Sequence, residues 1–424
     1  MQTTRSVLSA QSLSLTPLTL REFEAREVAL PPEVYAALRL RYAGRIDVAP
    51  TERAGVYRLA ARDYVGRIGL PGGGMLVVRP KVAVANLFYM LCADAGLAEI
   101  KPPPASLASN THNDDIGGFV VSALLSATER LLSQGLYRGY VVRQESSAPV
   151  RGRIVIGEQL HRYGELKHRH VCAFADLNSD TPENRILLSA LRHVPRLLHS
   201  GREGEAAMIR QARSQISRLE GIRLVGRNEA IGLLRSVSLH RLNAAYGAVL
   251  LLCRLVLQHL TFDERPGPYP FASFLVNMPR LFESFLTTRL CALLPQHSMR
   301  TVAQRHDYLD EERTVGIRPD LLVMPHKGRE PLVVVDFKYR DLDEPGSTAN
   351  TDLYQLSAYM DRYNLRAGML VYPRFESIPS TRLKLRGTPK QLHLASIDLG
   401  VPNPAAIEAE CAGLAQKIAA IGGK

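Results

Sequence analysis

The chain has no tryptophan, and its five cysteines, Cys92, Cys172, Cys253, Cys291 and Cys411, stand far apart with no CxxC pair among them. That spacing excludes a zinc ribbon and a disulfide framework and fits a reducing compartment. The first twenty residues, MQTTRSVLSAQSLSLTPLTL, hold no sustained apolar run of the kind a secretory signal needs. The most apolar stretch, 244–253, is too short to span a bilayer before Arg254 interrupts it, and reads as a buried helix. A cytoplasmic protein with no membrane role is expected. Low-complexity tracts and internal repeats are also missing. The glycines of Pro71-Gly72-Gly73-Gly74 are followed by neither Lys-Ser nor Lys-Thr, and a strand pattern rather than a helix comes next, so a phosphate-cradling P-loop is excluded.

Acidic charge is in short supply. Of 424 residues, 53 are Lys or Arg and 41 are Asp or Glu, a formal net charge of +12. An excess of this size favours a polyanionic partner, nucleic acid before membrane, although an arginine-rich composition alone produces it too. Half of the excess falls in residues 151–264 (+6, against +3 on either side). That segment suits either a phosphate-contacting surface or a solvated basic face. Apolar residues at 46% and charged residues at 22% are ordinary for globular chains, and the length suits two to three domains.

The pattern changes twice along the chain. Residues 54–61 (AGVYRLAA), 63–70 (DYVGRIGL) and 75–82 (MLVVRPKV) alternate as strands do, the last two joined as a hairpin through the glycine-bearing turn. From about Asn113 the period becomes helical, with helices expected at 116–134, 181–199, 206–218 and 242–260. In the second of these Thr181 and Pro182 supply a cap and a first-turn proline. Its apolar stripe is Leu187, Ala190, Leu191, Val194, Leu197 and Leu198, with Arg185, Arg192 and Arg196 opposite. The stretch 261–274, with Pro266, Pro268 and Pro270, reads as a boundary. Beyond it come a helix at 278–294, strands at 316–324 and 331–339, a polar loop at 340–350, a helix at 351–363 and a strand at 367–372. The expected architecture is α+β and multidomain: a β-rich N-terminal domain at 1–112, a helical middle region at 113–264, and a C-terminal α/β domain with a mixed sheet at 265–424.

Charges interrupt two strands that are otherwise apolar. Asp320 breaks IRPDLLVM, and Asp336 and Lys338 end the run Leu332–Val335. Buried charge costs several kcal/mol unless it is paired or metal-bound, so these three need a reason. Spacing of two puts Asp336 and Lys338 on one face of their strand, and Asp320 joins them if the two strands pair. Two carboxylates suit a hard cation such as Mg²⁺, and a lysine beside them can orient water and offset phosphate charge; these are the requirements of phosphodiester hydrolysis. The plainer alternative is a turn at Asp320 and an edge-strand ion pair at Asp336 and Lys338.

Pro319-Asp320, fifteen residues, then Asp336-Phe337-Lys338 resembles the PD-(D/E)xK nuclease superfamily. The resemblance implies that Asp320, Asp336 and Lys338 are catalytic, and that Glu283 on the preceding helix is an additional metal ligand. Gln355 and Tyr359 on the following helix match the QxxxY pattern of its RecB-like branch. Glu283 reads equally as a helix-surface glutamate, and Tyr359 as a core aromatic. Further blocks resemble McrC subunits, the nuclease partners of McrBC-type modified-cytosine restriction systems: YVGRIGL…GGMLVVRPKV; Val150-Arg151-Gly152-Arg153-Ile154 with Glu158-Gln159-Leu160; Asp180-Thr181-Pro182-Glu183-Asn184-Arg185-Ile186-Leu187; and Phe274-Leu275-Val276-Asn277-Met278-Pro279-Arg280-Leu281-Phe282-Glu283. In order, they run from about residue 55 to 373. What the resemblance implies is a Mg²⁺-dependent endonuclease subunit acting on DNA that carries modified cytosine. Its partner would be an McrB-like AAA+ motor whose GTPase the amino-terminal part stimulates. A nuclease serving another motor in repair or defence, and a non-catalytic motor activator, are the competing readings.

Overall fold

The computed structural model describes residues 17–94, 115–163, 168–198, 203–262, 272–340, 349–374 and 381–423. The prolines expected to mark a boundary at 266–270 and most of the polar loop expected at 340–350 lie outside them. The chain forms two compact units, one from Met1–Phe119 with Thr261–Lys424 and the other from Val120–Leu260. By contacts, therefore, the two ends of the chain belong together, whereas the sequence pattern suggests three successive domains.

The reason lies in one strand. Tyr64–Gly69 and Met75–Arg79 form the expected antiparallel hairpin, closed by a tight turn at Pro71–Gly73. The other edge of Tyr64–Gly69 takes Ala272–Asn277, which is antiparallel to it with Leu275 opposite Gly66. Gly66 sits at φ +130, and a Cβ there would lie 2.0 Å from the Phe274 carbonyl oxygen. Only glycine permits this approach. Leu18–Arg21 adds in parallel to Met75–Arg79, and Leu260–Phe262 completes a five-stranded sheet beside Ala272–Asn277. The strand Ala272–Asn277 then passes directly into the helix Met278–Leu293. The Asn277 side chain caps that helix by accepting from Arg280 N–H (2.9 Å), and Pro279 sits in its first turn.

The helix Val84–Asp94, not foreseen in a region read as β-rich, packs on Met278–Leu293 through Tyr89 against Phe285. Its buried Asn86 donates to the carbonyls of Leu399 (3.0 Å) and Val401 (2.6 Å), tying it to the chain before the last helix, Pro404–Gly422. Another helix in this region, Pro32–Arg41, likewise departs from the β-rich expectation.

A six-stranded mixed sheet follows, in the order Met299–Ala303, Leu321–Pro325, Val333–Phe337, Ala367–Pro373, Gln391–Ile397, Thr381–Lys384. The first two pairings are antiparallel, the next two are parallel, and the last is antiparallel. A parallel neighbour requires a crossover, which the helix Ala349–Arg362 provides between Val333–Phe337 and Ala367–Pro373. That helix lays Leu356, Tyr359 and Met360 over Leu322, Val334, Leu370 and Leu392.

The second unit carries the helices expected, at Pro182–Leu197, Glu203–Ser217 and Tyr246–His259, with Arg227–Ser236 besides. It is not wholly helical. Gly139–Ser147, Arg153–Ile154 and His170–Asn178 form a three-stranded sheet. The first of these strands gives little sequence signal because its apolar side chains Tyr140 and Val142 stay largely exposed. In the segment 180–187, Thr181 occupies the N-cap position without a side-chain capping bond. The polar residues around it serve other contacts. Asp180 pairs with Arg185 through two hydrogen bonds of 2.7 Å. Asn184 donates to the carbonyls of Tyr137 (3.0 Å) and Ser179 (2.8 Å), and accepts from the Tyr246 hydroxyl (2.5 Å). The apolar stripe of the Pro182–Leu197 helix is buried as expected, and Arg192 and Arg196 are exposed.

Among the described residues one helix, Ile116–Gln134, is long and apolar enough to cross a membrane by length and composition, and most of it is buried, as a core helix is.

Candidate functional site

The expected continuous strand at 316–324 is broken. Gly316–Ile317 belongs to a small hairpin with Asp307–Tyr308, and the sheet strand begins at Leu321. Arg318, Pro319 and Asp320 make the break, since proline cannot donate to a ladder. Leu321 lies opposite Val335 across the antiparallel ladder. One step further along that register sets Asp320 against Asp336. Like charges facing each other across strands are destabilising, so the juxtaposition itself calls for a function.

Local contacts fix both carboxylates. Asp320 Oδ2 accepts from the Phe337 backbone N–H (2.7 Å), and the Lys338 ammonium lies 2.7 Å from Asp336 Oδ2. Asp336 is only 2% exposed. Burial raises the affinity of Asp320 for its proton, and the charge of Asp336, then that of Glu283, adds to the effect. Asp336 is also raised, by burial first, while Lys338 opposes the shift. Burial would lower Lys338, but the Asp336 carboxylate outweighs it and holds the ammonium in its charged form. One lysine is therefore set against a crowded pair of acids, a deficit of positive charge that a cation can fill.

The neighbouring face is built by the crossover helix. Gln355 donates from Nε2 to the Tyr359 hydroxyl (2.7 Å), so QxxxY is a bonded pair one helical turn apart. Burial and then the Asp336 charge raise the Tyr359 pKa and keep the phenol neutral. Tyr359 is also a core residue, as the plainer of its two readings expects. Glu283, half-buried on Met278–Leu293, acts on Asp320 through its charge, and its carboxylate accepts from the Gln304 side-chain amide. Gln304 in turn accepts from Arg318. Among the described residues no three His, Cys, Asp or Glu side chains converge closely enough to hold a metal together. Asp320 and Asp336 form a pair, with Glu283 outside it.

Sequence reasoning missed Asp352, which is 1% exposed in the first turn of the crossover helix. It accepts from the Tyr372 hydroxyl (3.1 Å), lies 3.4 Å from Arg340, and its charge pushes Asp336 further up. It also missed Gln304. An acid near a helix start and a glutamine after a strand are commonplace, and no spacing singles either out.

Residues 59–373 match the family model described as "McrBC 5-methylcytosine restriction system component". The chain is similar to the Type IV methyl-directed restriction enzyme EcoKMcrBC of Escherichia coli (strain K12), 24% identical over 352 residues, 76% of this chain and 94% of that protein. Its fold resembles that of a chain in the assembly of Thermococcus gammatolerans McrB AAA+ hexamers with bound McrC. There the TM-score is 0.63 at 16% identity, covering 95% of this chain and 100% of that one.

Proposed function

The chain belongs to the McrBC 5-methylcytosine restriction system component family, and from that premise we propose that it is the DNA-cleaving subunit of such a system, with its C-terminal sheet serving as a PD-(D/E)xK nuclease. The observation that carries this reading is the buried, directly opposed pair Asp320 and Asp336, with Lys338 ion-paired to Asp336 on the same strand face. The donor chemistry fits Mg²⁺. It is oxygen only, it comes as two carboxylates in surplus over one lysine, and Mg²⁺ commonly takes one or two carboxylates and keeps waters and substrate phosphate for its other positions. Asp320 and Asp336 would hold the ion directly, and Glu283 would accept from one of its waters.

A bound Mg²⁺ supplies a water of lowered pKa and offsets charge developing on the phosphorus centre. The remaining work falls to the chain's own residues. Lys338, kept protonated by Asp336, orients the attacking water and meets the negative charge of the phosphate. The Tyr359 hydroxyl accepts from Gln355, which leaves its proton free to donate to a substrate oxygen. Asp352 anchors Tyr372 and Arg340 behind Asp336.

The partner in this reading is an AAA+ motor like the one in the Thermococcus gammatolerans assembly. The motor would use GTP, be stimulated by this chain and read the modified base. The test is cleavage of methylated and unmethylated duplexes by the chain with its AAA+ partner, GTP and Mg²⁺. Asp336→Asn and Lys338→Met should each lower cleavage of methylated DNA by at least a hundredfold while GTP turnover keeps its stimulation. Undiminished cleavage in both variants would refute the nuclease assignment.

A further inference from the structure

Gln304 stands where the sheet strand Met299–Ala303 ends and the hairpin built on Asp307–Tyr308 and Gly316–Ile317 begins. Its backbone is left-handed, φ +48, an uncommon conformation for a residue with a long side chain. Strain of this kind persists where surrounding contacts over-determine it, and here they do. The Gln304 N–H donates to the Asp320 carbonyl (2.9 Å). Its side-chain amide donates to the Glu283 carboxylate and accepts from the Arg318 guanidinium. One residue thus grips the main chain at one candidate metal ligand and the side chain of another acid. Arg318, at the far foot of the same hairpin and next to Pro319-Asp320, completes the chain of contacts.

We propose that Gln304 is a positioning residue of the hydrolytic site: it fixes the rotamer of Glu283, and through it the outer coordination of the cation held by Asp320 and Asp336. This inference rests on reading that pair as a metal centre. Without its amide, Glu283 keeps its charge but loses its fixed direction. Partners that orient groups around a metal typically matter about tenfold or more in affinity. Gln304 acts through Glu283, so the two must behave as a unit rather than as independent contributors.

The test is Mn²⁺ binding to the full-length chain, followed by electron paramagnetic resonance, beside thermal unfolding in EDTA. Gln304→Gly is the informative variant. Glycine favours the left-handed backbone and keeps the N–H to Asp320, so only the side-chain amide is removed. It should bind Mn²⁺ about tenfold more weakly, with an unfolding temperature no lower than wild type. Glu283→Gln should show a shift of similar size, and the double variant should shift no further than either single one. Gln304→Asn, which tolerates the same backbone with an amide one methylene shorter, should fall between glycine and wild type. Wild-type affinity in Gln304→Gly, or fully additive shifts in the double variant, would overturn the proposal. Asp336→Asn serves as the control for the underlying reading. If it too binds Mn²⁺ like wild type, the metal centre lies elsewhere, and the positioning role falls with it.

Discussion

Asp320 holds its proton above the ordinary carboxylate range because burial and the Asp336 charge both oppose its ionisation. In the unfolded chain it ionises near pH 4. A folded-state pKa above the unfolded value gives stability that is present below pH 4 and is lost as pH rises toward the folded value. Replacing Asp320 with Asn keeps an oxygen to accept from Phe337 N–H and removes the cost of ionisation. In EDTA at pH 7 to 8, Asp320→Asn should therefore be more stable than wild type by about 1–2 kcal/mol, and the gap should close near pH 4. Denaturant unfolding over a pH series measures this, and equal stabilities throughout would mean that the pair is not strained. Asp320, Asp336 and Lys338 were legible because charge in an apolar strand is anomalous in itself. Asp352 and Gln304 were not, because their importance comes from what lies across the fold: Tyr372 and Arg340 for one, Glu283 and the Asp320 backbone for the other.

Among the elements, the Tyr64–Gly69 strand shows how far a local pattern can be read. The alternation and the glycine turn announced the hairpin, and the hairpin formed. What the pattern could not announce was the neighbour on its other edge, Ala272–Asn277, some two hundred positions away in the chain. Gly66 is the imprint of that neighbour. Gly66→Ala would place a methyl against the Phe274 carbonyl and force a β-carbon into a backbone region reserved for glycine. It should cost about 3 kcal/mol or more, read as a lowered unfolding midpoint, because neither strand can move without disturbing the sheet. A loss below 1 kcal/mol would mean that the two strands separate easily. The strand Gly139–Ser147 illustrates the opposite limit. With Tyr140 and Val142 exposed, it leaves the sequence little period to read.

At the scale of the whole molecule, the segment that opens the described fold and the segment carrying the candidate site share a five-stranded sheet and a packed helix pair, while Val120–Leu260 forms a unit of its own. The block at 64–78 and the block at 274–283 are adjacent in space: strand, capped helix and Glu283 follow one another without a break. Composition foresaw a polyanionic partner, and family membership is consistent with a restriction system acting on DNA. On the proposed reading, Asp320 and Asp336 together hold a divalent cation. Anomalous X-ray scattering from crystals of the chain soaked in Mn²⁺ tests it most directly. The expected result is a strong peak in contact with both carboxylates, lost in Asp336→Asn. A peak at another site, or none between these residues at millimolar Mn²⁺, would contradict it.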